Sequence, residues 1–185
     1  MALERIAPPA VLPITIAEVK PWARLDEVFQ DDAHFVELIS MATELLDGET
    51  GYLGRALITQ DWRLVLERFA REIKIPLPPT QQVTAVKYID PGGVEQTLDA
   101  GVYTVARDAQ NSFLRLADGQ TWPDTKCGVE AVKIEFTAGF GDSWNDIPQP
   151  IRSALSMTVA NLFDGMAPEA AVPADMLRRW KVFEW

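Results

Sequence analysis

Apolar positions follow a helical period toward both ends of the chain and an alternating period in its middle. In "DDAHFVELISMATELLDG", residues 31–48, apolar side chains recur at intervals of three and four, which predicts an amphipathic helix. The segment "DIPQPIRSALSMTVANLFDG", residues 146–165, has the same period. We expect Asp146 to cap that helix and an early proline to lie in its first turn. Shorter helices are predicted to begin at Thr15 and Pro173.

Between residues 59 and 141 the period changes to two, which is typical of half-buried strands. "QDWRLVLERF" and "VEAVKIEFTAG" alternate most clearly, and Asp90-Pro91-Gly92-Gly93 supplies the turn of a hairpin. Roughly seven short strands are predicted, in an antiparallel unit of sandwich or barrel-like form. The predicted fold class is therefore α+β, a helical bundle core with an inserted antiparallel β sub-domain.

This organisation divides the chain into four predicted parts. Residues 1–14 contain three prolines and should form an extended N-terminal arm. Residues 15–58 and 146–176 form the helical core. Residues 59–141 form the β sub-domain, and residues 177–185 form a C-terminal docking tail.

Composition narrows the possible functions. The chain has 185 residues and a formal net charge of −10, which argues against nonspecific binding to nucleic acid or anionic lipid. No apolar run approaches the length of a membrane span, and no signal peptide is evident, so we expect a soluble protein inside the cell. The single cysteine, Cys127, excludes an internal disulfide and is predicted to be a semi-buried filler rather than a nucleophile.

The glycine pair in "TAGFGDSW" is the first candidate site. Gly139 and Gly141 do not complete a dinucleotide-binding pattern, because Trp144 occupies the position of its third glycine. Two glycines can instead let the chain turn sharply out of a strand. Ser143 lies in a "GDSW" stretch that resembles the nucleophile block of one esterase family, but that chemistry needs a histidine base. The only histidine, His34, lies far upstream in a helix, so no catalytic residue is assigned.

No metal or cofactor site is predicted. One histidine and one cysteine cannot complete a zinc site, and no calcium-binding loop pattern occurs. A carboxylate pair of the glycosidase type stays open, because spacing along the sequence does not constrain it.

The end of the chain, "LRRWKVFEW", combines aromatic and basic side chains in an acidic protein. Exposed tryptophan and arginine near a terminus are typical of anchors that bind a partner. We predict that the segment is mobile after Leu177 in the free subunit and then orders against a partner. The alternative is a tail folded back onto its own domain. The predicted docking residues are Leu177, Arg178, Arg179, Trp180, Phe183 and Trp185.

Several stretches occur in an order that resembles one protein family. They are "ITIAEVKPWARLD", "GRALITQDW", "IPLPPTQQVTAVKYIDPGGVEQTL", "QTWPDT", "VKIEFTAGFGD" and "IPQPIRSALSM". Over residues 13–183 the chain resembles the head–tail connector (adaptor, or head-completion) proteins of tailed bacteriophages, prophages and gene transfer agents. It departs from the family pattern at Tyr52-Leu53, inserted before Gly54, and at the additional "FEW" end.

The resemblance implies a structural function and no enzymatic activity. Connector subunits form a homo-oligomeric ring, usually of twelve, under the portal protein, and they present a surface to stopper or tail components. Packaged DNA passes through the ring without specific binding. The resemblance also implies assembly in the host cytoplasm, a final position at the head–tail junction, and a C-terminal segment that reaches toward the portal. Two alternatives stay open, a small hydrolase and a ligand-binding β module carried on helices.

Overall fold

The computed structural model describes residues 1–24, 32–108 and 111–182. Contacts divide the chain into two compact units. The first, here called the β unit, comprises Met1–Pro8 and Gln60–Gly139; the second, the helical unit, comprises Pro9–Thr59 and Phe140–Trp185. Within the described ranges, no helix combines the length and the apolar character that crossing a membrane requires.

The β unit contains two antiparallel sheets. Their strands are β1 (Ala2–Ala7), β2 (Gln60–Leu66), β3 (Glu72–Ile75), β4 (Thr80–Ile89), β5 (Glu95–Thr97), β6 (Tyr103–Arg107), β7 (Ser112–Leu116) and β8 (Val132–Ala138). The larger sheet has the order β1-β2-β8-β4-β5, and the smaller has the order β3-β7-β6. The seven strands β2–β8 match the predicted strands between residues 59 and 141. The predicted hairpin is confirmed, because β4 pairs with β5 across the turn at Asp90.

The barrel-like form is wrong for this unit. A barrel requires a sheet that closes on itself, whereas β1 and β5 lie at opposite edges of the larger sheet. Strand β1 was not expected from the prolines of the N-terminal arm. It pairs with β2 through residue Ala7, and Pro8 and Pro9 follow directly, where a missing N–H ends the pairing.

Strand β8 lies at the centre of the larger sheet, and its side chains alternate between two environments. Val132, Ile134 and Phe136 are buried, whereas the intervening Lys133 and Glu135 are only partly buried. Both sheets contribute fully buried apolar side chains, which accounts for the apolar alternation in the sequence. Among them are Leu64, Ile75, Val86, Leu114 and Ile134.

The helical unit contains all five α-helices of the described residues. They are α1 (Ile16–Val19), α2 (Asp32–Leu46), α3 (Gln149–Phe163), α4 (Pro168–Ala171) and α5 (Ala174–Leu177). The predicted α+β class is confirmed. The predicted helical bundle core is not confirmed, since three of the five helices in the described residues have only four residues each. Helices α2 and α3 pack together instead, and the rings of Phe35 and Phe163 stack at 5.3 Å.

Local caps decide where the helices begin. The Thr15 side chain accepts a hydrogen bond from Glu18 N at 3.3 Å, as predicted for the start of α1. Pro150 lies in the first turn of α3, where its missing N–H removes no helical hydrogen bond. The prediction that Asp146 caps α3 is wrong. Asp146 belongs to a preceding 3-10 turn (Trp144–Asp146), in which Ser143 and Asp146 form a reciprocal capping box.

The "TAGFGD" stretch returns the chain from the β unit to the helical unit, because Gly139 ends one unit and Phe140 begins the other. Gly139 has a φ of 136°, a backbone conformation that favours glycine. Phe140 N donates to the Leu57 carbonyl at 3.0 Å, and Thr59 N donates to the Gly141 carbonyl at 2.9 Å. The segments that leave and re-enter the helical unit are therefore hydrogen-bonded to each other.

Candidate docking segment

The loop at residues 47–58 closes the C-terminal end of α2 and is here called the acceptor loop. Tyr52 N and Leu53 N donate to the carbonyls of Leu45 and Leu46, at 2.8 and 3.2 Å. These carbonyls have no partner within the helix, so the loop satisfies acceptors that would otherwise need water. Gly51 permits this approach, since a Cβ there would lie 2.3 Å from the Asp47 carbonyl oxygen.

The C-terminal segment, residues 177–182, lies on the acceptor loop of its own unit. Val182 N donates to the Leu53 carbonyl at 2.9 Å, which joins the two segments backbone to backbone. The Lys181 ammonium lies 4.5 Å from the centre of the Tyr52 ring. The Trp180 ring meets Phe140 edge to face, with the ring centres 6.3 Å apart.

Arg55 binds the C-terminal segment through a hydrogen bond to the backbone. Its side chain is buried, with the residue 7% exposed, and its Nε donates to the Trp180 carbonyl. Burial lowers the pKa of Arg55 below its ordinary value. The guanidinium nevertheless stays charged at neutral pH, because arginine titrates far above that range. A charge-assisted hydrogen bond of this kind is stronger than one between neutral groups.

The structure separates the predicted docking residues into three groups. Leu177 is 0% exposed and fills the core of its own unit, so it is not part of an exposed docking surface. Trp180 is partly buried, whereas Arg178 and Arg179 are exposed. The remaining two, Phe183 and Trp185, lie outside the described residues. Through Val182, the tail takes the folded-back arrangement that the sequence left as the alternative.

Sequence reasoning missed the residues that receive this segment. Tyr52, Leu53 and Arg55 contact Lys181, Val182 and Trp180 of the segment. Their one distinguishing signal in the sequence is that Tyr52-Leu53 departs from the family pattern. The Tyr52 hydroxyl also donates to the Ala174 carbonyl at 3.4 Å. The departure from the family pattern at Tyr52-Leu53 thus lies at this contact.

Ser143 and His34, the residues considered for catalysis, take part in local contacts that stabilise the fold. The Ser143 hydroxyl accepts a hydrogen bond from Asn145 N at 3.2 Å, and Asp146 Oδ2 accepts from Ser143 N at 2.9 Å. His34 is exposed on α2, with its ring 6.2 Å from that of Phe163.

Cys127 is exposed, which corrects the prediction of a semi-buried filler. It lies in the long loop between β7 and β8. In the parts of the chain that the structure describes, no three His, Cys, Asp or Glu side chains form a group that could hold a metal ion.

Solved structures with the same fold come from gene transfer agent particles. A chain from the neck of an empty gene transfer agent (GTA) particle, computed with C6 symmetry, has a TM-score of 0.78 and 26% sequence identity. A chain from the virion of a native GTA particle has a TM-score of 0.76 and 28% identity. A third, from the neck of a native particle computed with C12 symmetry, has a TM-score of 0.74 and 26% identity. Each match covers 100% of this chain and 97% of the other.

The resemblance to head–tail connector proteins is confirmed. It holds for both units, because the matched chains are covered almost from end to end. No protein-family model matches the sequence, and no curated protein sequence matches it either. The likeness is therefore carried by the fold over the full length of the chain.

Proposed function

We propose that this protein is a head–tail connector (adaptor) subunit of a phage-like particle. In this function, copies of the chain form a ring under the portal protein and extend the channel through which DNA passes. The ring joins the head to stopper or tail components. The subunits assemble in the host cytoplasm and end at the head–tail junction.

The observation that carries this proposal is the full-length match to neck chains of GTA particles computed with C6 and C12 symmetry. Cyclic symmetry of this order supports a ring, with twelve subunits as the number we expect. Neighbours in a ring meet through two different patches, so each subunit needs a pair of complementary surfaces.

The charge of the chain supports a channel through which DNA slides. The net charge is −10, and a chain this acidic offers little of the phosphate neutralisation on which nonspecific DNA binding depends. Like charge between the ring and the DNA would oppose sticking during passage.

The exposed part of the C-terminal segment supplies a candidate docking surface. Arg178 and Arg179 are exposed within this segment, which Arg55 and Leu53 bind through the Trp180 carbonyl and the Val182 N–H. We propose that these arginines, with Phe183 and Trp185, contact the portal protein or the neighbouring subunit. Paired arginine and aromatic side chains commonly dominate the binding energy of an interface.

The test is to mix the purified protein with the portal protein of a gene transfer agent and to image the mixture by negative-stain electron microscopy. We expect a ring of this chain stacked coaxially on the portal, and few rings in the protein alone. A protein that stays monomeric beside the portal would contradict the proposal. Turnover of generic ester or glycoside substrates, abolished by replacing a single side chain, would favour the hydrolase alternative instead.

A further inference from the structure

Helix α2 has an outer face that its own unit does not bury. Residues spaced by three and four along the helix share this face, which spans about 16 Å at 1.5 Å per residue. Val36 is 40% exposed and Met41 is 45% exposed, whereas Phe35 and Ile39 on the opposite side are 0% exposed. We call this set the α2 outer face. Its exposed members are Ala33, Val36, Glu37, Ser40, Met41 and Glu44.

A second surface of the helical unit has the opposite charge and is here called the basic turn. It comprises Met176, which is 40% exposed, and the exposed Arg178 and Arg179. Arg178 Nη2 lies 3.4 Å from Asp175 Oδ1, but the two side chains are 79% and 98% exposed, so solvent screens this pair. Two adjacent exposed arginines make this turn locally basic, although the net charge of the chain is −10.

We infer that the α2 outer face of one subunit binds the basic turn of a second copy of this chain. The inference rests on the proposed ring and names the two patches that each subunit would use. Each patch places an exposed methionine beside two like charges, negative on one and positive on the other. Methionine adapts to irregular contacts, and opposite charges align the two surfaces.

The same charges argue against a symmetric pairing of either patch with itself. Two α2 outer faces in contact would bring Glu37 and Glu44 against their own copies, and two basic turns would oppose arginines. Juxtaposed like charges disfavour such contacts. Only the contact between unlike patches combines attraction with the apolar burial of Val36 and the methionines, and a contact between unlike patches is the kind that builds rings.

Charge reversal tests the contact on portal-bound rings. Reversing the α2 outer face (Glu37→Arg with Glu44→Arg) or the basic turn (Arg178→Glu with Arg179→Glu) should lower the yield of rings about tenfold or more. The four changes together should restore the yield to within about twofold, because the opposite charges are then exchanged. Glu49→Arg with Glu169→Arg is the matched control. It changes the net charge as much as the first variant does, at exposed positions outside both patches, and should leave the yield unchanged.

Cross-linking locates the contact directly. The sample is the portal-bound ring of a chain that carries Cys127→Ser, Met41→Cys and Met176→Cys. A short bismaleimide should give a ladder of covalent oligomers from it. Either cysteine alone should give monomers, since the contact joins position 41 to position 176 and neither position to itself. Circular dichroism of each variant confirms that it folds.

The outcomes separate this inference from the proposed function. The inference would be overturned if the wild type forms rings on the portal and both charge variants form them equally well. It would also be overturned if the paired cysteines give no ladder. The connector function would stand in either case. Absence of wild-type rings would refute the proposed function, and the inference with it. A loss in both charge variants, a rescue in the combination and a ladder would establish the contact.

Discussion

Gly141 lies so close to Asp146 that there is no room for a side chain larger than hydrogen. A Cβ at this residue would lie 2.4 Å from Asp146 Oδ2 and 2.5 Å from Asp146 Cβ. Asp146 is held in place by the capping box with Ser143, so it has no room to move aside without losing that cap. The second glycine of "TAGFGD" therefore serves the turn that precedes α3 rather than a phosphate group.

We expect Gly141→Ala to destabilise the protein by about 1–3 kcal/mol, the usual cost of forcing an extra carbon into a packed site. Gly128→Ala is the matched control, because a Cβ at Gly128 meets no atom within 4 Å. Urea unfolding followed by circular dichroism measures both changes. Equal stability of the two variants would show that the Ser143 turn relaxes freely.

Glu135 forms the centre of a charged cluster on the larger sheet. Its Oε1 accepts from Arg63 Nη2 at 2.9 Å and from Lys87 Nζ at 3.0 Å, which joins three neighbouring strands. Burial on its own would raise the pKa of Glu135, but the hydrogen bonds and charges of Arg63 and Lys87 outweigh burial and lower it. The hydrogen bond to Glu135 in turn raises the pKa of Arg63.

A lowered pKa in the folded state means that ionised Glu135 stabilises the protein above the ordinary glutamate value of 4.5. This stabilisation is lost as the pH falls through the lower folded value. Glu135→Gln should therefore cost about 1 kcal/mol at pH 7, and the difference from wild type should shrink below about pH 4. Urea unfolding across a pH series measures it.

Glu95→Gln is the comparison for this experiment, since within the described ranges Glu95 pairs with one cation, Lys133, at 3.0 Å and its side chain is 46% exposed. We expect it to cost less than about 0.5 kcal/mol. A cost for Glu135→Gln that stays constant from pH 7 to pH 3 would refute the electrostatic explanation.

At the scale of elements, the C-terminal segment and the acceptor loop stabilise each other. The segment supplies the Val182 N–H to Leu53, the Trp180 carbonyl to Arg55 and the Trp180 ring to Phe140. Removing it would leave the buried Arg55 charge without that acceptor, and removing one partner of a buried charge is costly. The segment is thus part of the fold of its unit through Val182.

Deleting residues 178–185 should therefore lower the melting temperature by about 5–10 °C, which corresponds to a loss of roughly 2–4 kcal/mol in a chain of this size. Deleting residues 183–185 alone is the matched control, because it retains each of the contacts named above. Differential scanning calorimetry measures both truncations. A melting temperature that the longer deletion leaves unchanged would show that the segment detaches in solution, as the sequence suggested.

At the scale of the whole molecule, net charge is the property that bears most on function. With a net charge of −10, the protein should have negligible affinity for duplex DNA at physiological salt. Nonspecific DNA-binding proteins typically have dissociation constants of about 10⁻⁴–10⁻⁶ M under those conditions. A gel shift with duplex DNA at micromolar protein measures this, with a basic DNA-binding domain as the positive control. A shift that persists in moderate salt would contradict the acidic-channel interpretation.

The sequence by itself determined the elements and much of their order. Apolar periods of 3.6 and 2 arise because each element must bury one face, so α2, α3 and the seven strands β2–β8 were predictable from local pattern. The Thr15 cap and the turn at Asp90 were predictable for the same reason, since a side chain satisfies backbone groups only a few residues away.

Only the tertiary structure decided the contacts between residues distant in the chain. Strand β1 forms by pairing with β2, which lies some 60 residues away in the chain. The larger sheet is open because β1 and β5 lie at its opposite edges and do not pair. Nothing in the sequence pattern predicts that Arg55 is buried and bonded to the Trp180 carbonyl. Leu177 was predicted to belong to a docking tail, whereas the core of its unit buries it. Burial depends on which segments pack together, and periodicity within one segment carries no information about its distant partner.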